Sequence, residues 1–412
     1  MTENETVLVI GGSGFIGQHI IKLLLQSKDE LKIKEIRSLD KEPYKNTIGN
    51  FDTSQLVTFV GDICEPETME TAFSGVETVF HCAAYVNIQY PPNYQELERV
   101  NVNGTRSVID MCIKHNVIRL VYTSCASVCL IPFKGYSTFS IIINQTESKA
   151  LTPVHDLNKS PIEFDKGFLI PGYSASKLRA EKIVLNSSGA TLSNQAGCLQ
   201  TVAMRPPLTY GEGDNHFMPA VFRFLSKRGN IYPRIAGSGG KQQLAYAGCL
   251  FKRIPFIIYL KYKLLLSGNI AWGHICAYKT LKASPKAIAS LPVFITDDTP
   301  INDMARFVQK VGRATGAVKF KTSVWSIPHF IFYLLAFLVE KVASAFNFKL
   351  DYSLRAVASF TASVLLFSRL RADIHIDYEP LIDGDKSLEI SGKWYSQWYQ
   401  KNIHNSQLNK KK

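Results

Sequence analysis

Short β-branched runs alternate with stretches of helical hydrophobic period through the first half of the chain. TVLVI at 6–10 leads into GGSGFIG and then an apolar-periodic stretch from Ile16 to Leu25, which predicts strand, tight turn and helix. The beat recurs in IKEIRSLD at 33–40, LVTFVGDI at 56–63, VETVFHCAA at 76–84, a helical span from Tyr94 to His115, and IRLVYTSCAS at 118–127. LQTVAMRPP at 199–207 reads as a further strand of the same set. Strands alternating with helices of this kind form βαβ units, so the pattern predicts an α/β fold built on a Rossmann-like, doubly wound parallel sheet.

Beyond residue 208 the rhythm changes and Gly, Pro and aromatic residues rise, which predicts a smaller C-terminal substrate lobe. The expected divisions are 1–207 for the dinucleotide-binding domain, 208–323 for the substrate lobe, 324–370 for a hydrophobic membrane-associating segment and 371–412 for a tail. The apolar stretch at 249–267 carries Lys252, Arg253, Pro255, Lys261 and Lys263, so it does not read as a membrane span. The run from Ile327 to Val339 is shorter than the roughly 20 residues a span needs. It reads either as a buried core helix or as a helix inserted in a membrane or docked at its interface, a choice to which AVASFTASVLLF at 356–367 adds apolar surface.

Composition narrows the partners. Among 412 residues, 46% are hydrophobic and 20% charged, which excludes a disordered or low-complexity chain. The net charge of +13 suits an anionic partner, but the basic residues are spread thinly without an aromatic-interleaved stripe, so no nucleic-acid partner is expected. Eight cysteines without a C-x-x-C pair read as reduced thiols, with no metal site. The polar start MTENETVLVI lacks the pattern of a secretory signal, and the first domain is expected to fold in the cytosol.

In GGSGFIG, Gly11 suits the tight turn, Gly14 the close approach of backbone to a pyrophosphate, and Gly17 the packing of helix on sheet. Phe15 and Ile16 belong to the same turn, and the helix N-terminus faces the phosphates. Asp40 ends the second strand about 20 residues on, where a carboxylate accepts the adenosine ribose hydroxyls and repels a 2′-phosphate. NAD is therefore the expected cofactor. Asp62 and Ile63 follow the third strand and are placed at the adenine. Ala83 and Ala84 are small enough to let the cofactor lie close.

Tyr173 and Lys177 stand four apart in YSASK, hence on one face of a helix. A tyrosine of ordinary pKa about 10 is a poor base at neutral pH, and a fixed ammonium nearby favours its phenolate. Together with GGSGFIG, GDI at 61–63, HCAA at 81–84, NVNGT at 101–105, YTSCAS at 122–127 and RPPLTYGEG at 205–213, this pair resembles the extended short-chain dehydrogenase/reductases. SLDK at 38–41, GNIAWGH at 268–274, FITDDTP at 294–300 and the hydrophobic segment after Trp325 resemble the 3β-hydroxysteroid dehydrogenase/Δ5-isomerase family within them.

The resemblance implies NAD-dependent oxidation of the 3β-hydroxyl of a steroid or sterol, with Tyr173 taking the hydroxyl proton and Lys177 orienting. The backbone around Pro206 would carry the carboxamide end of the cofactor. In steroidogenic members a Δ5–Δ4 double-bond shift follows in the same chain. The alternatives are a decarboxylating 4-carboxysterol 3-dehydrogenase and a catalytically weak NAD-binding protein. The resemblance places the protein at the endoplasmic reticulum membrane with its catalytic domain facing the cytosol, a mitochondrial membrane being the alternative, and it admits a homodimer.

Two departures stand out. The family has a serine three residues before the valine of this strand end, and here that place is Cys125, with Ser124 before it and Ser127 after it. A thiol is the weaker hydrogen-bond partner, so reduced activity or a specialised substrate is expected. The stretch 249–267 reads as an insertion in the family pattern, either a lipid-contacting addition or retained non-coding sequence.

Overall fold

The computed structural model describes residues 5–49, 51–133, 138–153, 160–165, 167–236, 240–247, 268–316 and 319–404. The insertion expected at 249–267 lies outside these residues.

The first strand, β1 (Glu5–Ile10), is buried along its whole length, as a run of β-branched and aliphatic residues at the centre of a parallel sheet must be. Its side chains alternate between two cores. Val7 and Val9 join Ile20, Ile21 and Leu24 of α1 (Phe15–Gln26), whereas Leu8 and Ile10 face Val108 and Cys112 of α2 (Gly104–Lys114) and Val184 of α3 (Tyr173–Asn186). Helices thus cover both faces.

The sheet continues through β2 (Ile33–Asp40), β3 (Leu56–Val60), β4 (Thr78–His81), β5 (Arg119–Thr123), β6 (Gln200–Arg205) and β7 (Leu291–Phe294). All pairings are parallel and the order is β7-β6-β5-β4-β1-β2-β3, seven strands in all. The order reverses between β1 and β4, which opens a crevice at their carboxyl ends, the place where such sheets take ligands.

Residue 207 does not bound this sheet. Strand β7 and its covering helix α4 (Asn269–Ala283) come from the second half of the chain, and Trp272, Ile275 and Tyr278 complete the core beneath α1. Conversely, Ile141–Gln145 pairs with Val364–Phe367 in a separate three-stranded sheet. The second half of the chain has a separate aromatic core of Tyr210, Phe222, Phe307 and Tyr395, the last on the helix Gly384–Tyr399. Tyr395 donates to Asp214 at 2.9 Å, and the same carboxylate accepts the N–H groups of His216, Phe217 and Met218.

The segment expected to associate with membranes is not one element. It contains α5 (His329–Ala345), α6 (Leu354–Ala362) and the strand Val364–Phe367. No described helix is long and apolar enough to cross a membrane. Of the two readings, the buried core helix is not what forms. Helix α5 buries Ala336, Glu340 and Ala343, and exposes Phe330, Leu334, Leu338 and Val342. Its apolar face points away from the protein, the inverse of an ordinary surface helix. Trp325, just before it, is 86% exposed.

Candidate active site

The glycine turn joins β1 to α1 with geometry that only glycine satisfies at two places. Gly11 has φ +79°, and a Cβ there would stand 2.6 Å from the Ala83 nitrogen. A Cβ on Gly17 would stand 2.1 Å from the Gly11 carbonyl oxygen. Gly14, by contrast, is exposed and meets no atom of another element. It is the N-cap of α1 with no side chain capping the helix, so the first N–H groups of α1, including those of Phe15 and Ile16, have no capping acceptor from the protein. The Ser13 hydroxyl beside it is buried without a partner among the described residues. Asp40, at the end of β2, accepts the Ser13 N–H at 3.0 Å through one carboxylate oxygen. A cradle of free N–H groups, an unpartnered hydroxyl and a neighbouring carboxylate fits a dinucleotide.

The other residues expected at the cofactor lie around the same crevice. Ala83 and Ala84 follow β4, with the Ala83 N–H donating to Ile10 at 3.0 Å. Asp62 accepts the Cys64 N–H at 2.9 Å and lies 3.8 Å from Arg99. Ile63 is buried and packs where a side chain on Gly104 would otherwise sit. Pro206 follows β6, and its carbonyl accepts the Ala126 N–H at 2.8 Å, tying the end of β6 to the loop after β5.

Helix α3 carries Tyr173 and Lys177 into this region. Lys177 is buried, donates to the Thr123 carbonyl at 2.7 Å, and stands 4.3 Å from the centre of the Tyr122 ring. Burial lowers its pKa to about 8. Tyr173 keeps partial exposure, yet burial first and the neighbouring Cys125 second raise its phenol above the ordinary value. The lowering expected from Lys177 does not occur in the protein alone, because desolvation dominates and the ammonium is turned to Thr123.

Cys125 and Ser124, adjacent at the strand end, turn to different sides. Cys125 lies beside Tyr173 and Lys177, and its sulfur accepts the Ser127 N–H at 3.4 Å. The Ser124 hydroxyl donates to Glu181 at 2.6 Å, and Glu181 in turn takes a bidentate bond from Arg205. The structure therefore brings Tyr173, Lys177 and Cys125 together, and commits Ser124 to a buried ion pair behind them.

Three supporting groups had no local sequence signal of that role. His274, in α4, accepts from the Thr123 hydroxyl at 2.9 Å, since its other nitrogen donates to Ile270 at 2.8 Å. Burial lowers its pKa to about 4, so it stays neutral. Glu181 and Arg205 form the pair just described. Asn101 grips both backbone groups of Tyr85, at 2.7 and 3.1 Å, and donates to Ser176 at 2.9 Å. His81 bonds Thr105 at 3.0 Å, and no group of potential metal ligands occurs among the described residues.

The chain is similar to known proteins in family and in fold. The model of the 3-beta hydroxysteroid dehydrogenase/isomerase family matches residues 8–254 and 260–328. Among solved structures, UDP-galactose 4-epimerase is similar over 95% of this chain and 99% of its own, at 14% identity and a TM-score of 0.60. A short-chain dehydrogenase/reductase superfamily protein from Agrobacterium tumefaciens with bound NAD is 17% identical, with a TM-score of 0.59 over 97% of this chain and 99% of that one. A double mutant of DesIV, the dTDP-glucose 4,6-dehydratase of Streptomyces venezuelae, with NAD and DAU bound, is 15% identical with a TM-score of 0.60, over 97% and 98%. At these identities the structures share the fold.

Proposed function

Because the chain belongs to the 3-beta hydroxysteroid dehydrogenase/isomerase family, we propose that it oxidises the 3β-hydroxyl of a steroid or sterol by hydride transfer to NAD. The observation that carries this reading is the placement of Tyr173 and the buried Lys177 at the same sheet edge as the glycine turn. Bound NAD supplies a cationic nicotinamide ring that accepts the hydride. Tyr173 would take the hydroxyl proton as its phenolate, a form that the cationic nicotinamide and the Lys177 ammonium would favour once NAD is bound, while Lys177 would hold the nicotinamide ribose and Cys125 would lie at the reacting oxygen. Asp40 accepts the adenosine ribose hydroxyls, which favours NAD over NADP. The N–H groups at the start of α1 meet the pyrophosphate, Ala83 and Ala84 flank the cofactor, Asp62 and Ile63 border the adenine, and the backbone at Pro206 carries the carboxamide.

An apolar substrate suits a protein that rests on lipid. The exposed Phe330, Leu334, Leu338 and Val342 of α5, with Trp325 and the exposed Lys321, Lys341 and Lys349 around them, fit a helix lying in an anionic membrane interface. The family resemblance, not this surface, is the reason for proposing the endoplasmic reticulum membrane with the catalytic domain in the cytosol.

Purified protein mixed with NAD and a panel of 3β-hydroxysterols should produce the reduced-nicotinamide absorbance band and the 3-keto product. Tight NAD binding with no turnover on any sterol would leave a binding protein instead. Carbon dioxide release from a 4-carboxysterol alone would assign the decarboxylating reaction.

A further inference from the structure

The loop between β4 and the helical span at Tyr94 repeats the inversion seen in α5. Val86 and Ile88 are exposed. The polar side chains between and beside them bond each other: Asn87 donates to the Tyr85 hydroxyl at 2.9 Å and to Gln89 at 3.1 Å, and accepts the Gln89 N–H at 2.9 Å.

This loop is joined to the far side of the apolar helix. Tyr90 and Leu350 exchange both backbone hydrogen bonds, at 3.0 and 2.8 Å, and the Ser353 N–H donates to Ile88 at 2.7 Å. Leu350 and Ser353 lie in the connection from α5 to α6. That connection is clamped to α5 by Glu340, which is fully buried. The Glu340 carboxylate accepts the Ser353 hydroxyl at 2.8 Å and the Arg355 N–H at 3.0 Å, and pairs with the Arg355 guanidinium, which also stands 5.7 Å from the Tyr90 ring.

At its other side the same loop reaches the catalytic helix. Asn101 ties Tyr85 to Ser176, and Pro92 fills the space that a side chain on Gly172, the residue before Tyr173, would need. One continuous connection therefore runs from the exposed face of α5 through Glu340, Ser353 and Ile88 to the start of α3.

We propose that Val86 and Ile88 belong to the lipid-contacting surface together with α5, so that the substrate passes sideways from the bilayer to Tyr173 along this loop. The proposal rests on the membrane reading above and commits the loop to the same bilayer. Glu340 acts as a positioning residue that holds the loop against the membrane-facing segment. Exposed Lys341 and Lys349 next to the loop's anchoring segment suit an anionic lipid surface.

The test uses the full chain and vesicles of phosphatidylcholine and phosphatidylserine whose acyl chains carry bromine, a contact quencher of tryptophan. In a Trp325→Phe background, whose Trp272, Trp394 and Trp398 set the baseline, Ile88→Trp should add quenching on vesicle addition, as native Trp325 does in the parent protein relative to the same baseline. Quenching of Trp325 without quenching at position 88 overturns the loop proposal and leaves the docking of α5 standing. Absence of quenching at both positions removes both. A kinetic arm separates delivery from folding. Ile88→Ser should raise KM for sterol presented in vesicles roughly tenfold, the scale of one buried aliphatic side chain. KM for NAD and for sterol presented on cyclodextrin should be unchanged. An equal rise with both presentations overturns the lateral route.

Discussion

The ammonium of Lys177 is held by the backbone of Thr123, at 2.7 Å from its carbonyl, and the Thr123 side chain is held in turn by His274 at 2.9 Å. The cation is thus positioned by a strand end and a helix from the other half of the chain, and its place does not depend on Tyr173. A group fixed in this way is ready to receive a ribose hydroxyl without reorganising, which is the condition for preorganised electrostatic help.

Burial gives Lys177 a pKa of about 8 against an ordinary 10.5. Between those values the unfolded chain binds the proton and the folded protein does not, so this residue makes stability rise with pH across that window. Binding runs the other way: the ammonium proposed to grip the ribose is lost above about 8. We expect kcat/KM for NAD to fall along an alkaline limb near pH 8, since that quantity reports groups of the free enzyme. In Lys177→Arg the charge persists throughout and this limb should disappear, at whatever reduced rate the larger group permits. A limb unchanged in the arginine variant would assign the titration to another residue.

Cys125 stands where the family carries a hydroxyl, beside Tyr173. Its S–H is a weak donor, and a donor aimed at a reacting oxygen is worth about 2.7 to 4 kcal/mol in other enzymes. Cys125→Ser should therefore raise kcat by roughly tenfold or more, equivalent to about 1.4 kcal/mol in the barrier, with KM for NAD unaltered. Single-turnover rates with a saturating sterol read this directly. No gain would show that the thiol does not meet the reacting oxygen.

Behind the site, Ser124, Glu181 and Arg205 form a buried set, with Glu181 and Arg205 both almost without solvent contact. Removing one partner of such a pair leaves a buried charge and costs about 3 to 5 kcal/mol. Glu181→Ala should lower the melting temperature strongly. Ser124→Ala should lower it less, by the equivalent of about 1 kcal/mol, with kcat within twofold of the parent. A Ser124→Ala variant that melts normally but loses turnover would place this hydroxyl in the reaction.

The parts of the site that were legible are those set by local spacing. The glycines at 11, 14 and 17, Asp40 at a strand end, and Tyr173 with Lys177 one helical turn apart need only the periods of strand and helix. The hold of His274 on Thr123 and the pairing of Glu181 with Arg205 depend on contacts across the fold, which periodicity does not encode. Strand β7 escaped for a related reason: LPVF is a short apolar run far along the chain, and its place beside β6 follows only from the packing of α4. The face of α5 was ambiguous because an almost uniformly apolar run has no polar stripe to orient it. Its orientation comes from Glu340, whose three bonds to the α6 end turn the small residues inward.

Asp40 bears on both the glycine turn and the proposed ribose site. One oxygen accepts the Ser13 N–H and so shapes the glycine turn, while the carboxylate as a whole stands where the adenosine ribose is expected. Substitution therefore has two separable effects. Asp40→Asn keeps an acceptor for Ser13 and removes the negative charge that opposes a 2′-phosphate. It should weaken NAD binding by about tenfold, as expected for loss of a charge-assisted hydrogen bond of about 1.5 kcal/mol, while improving the use of NADP. Asp40→Ala also frees the Ser13 N–H, so it should bind both cofactors poorly. Titrating each variant with NAD and NADP by calorimetry measures the two effects without reference to any sterol. If Asp40→Asn left the ratio of the two affinities as in the parent protein, the ribose would lie elsewhere, and the assignment of NAD through this residue would fall.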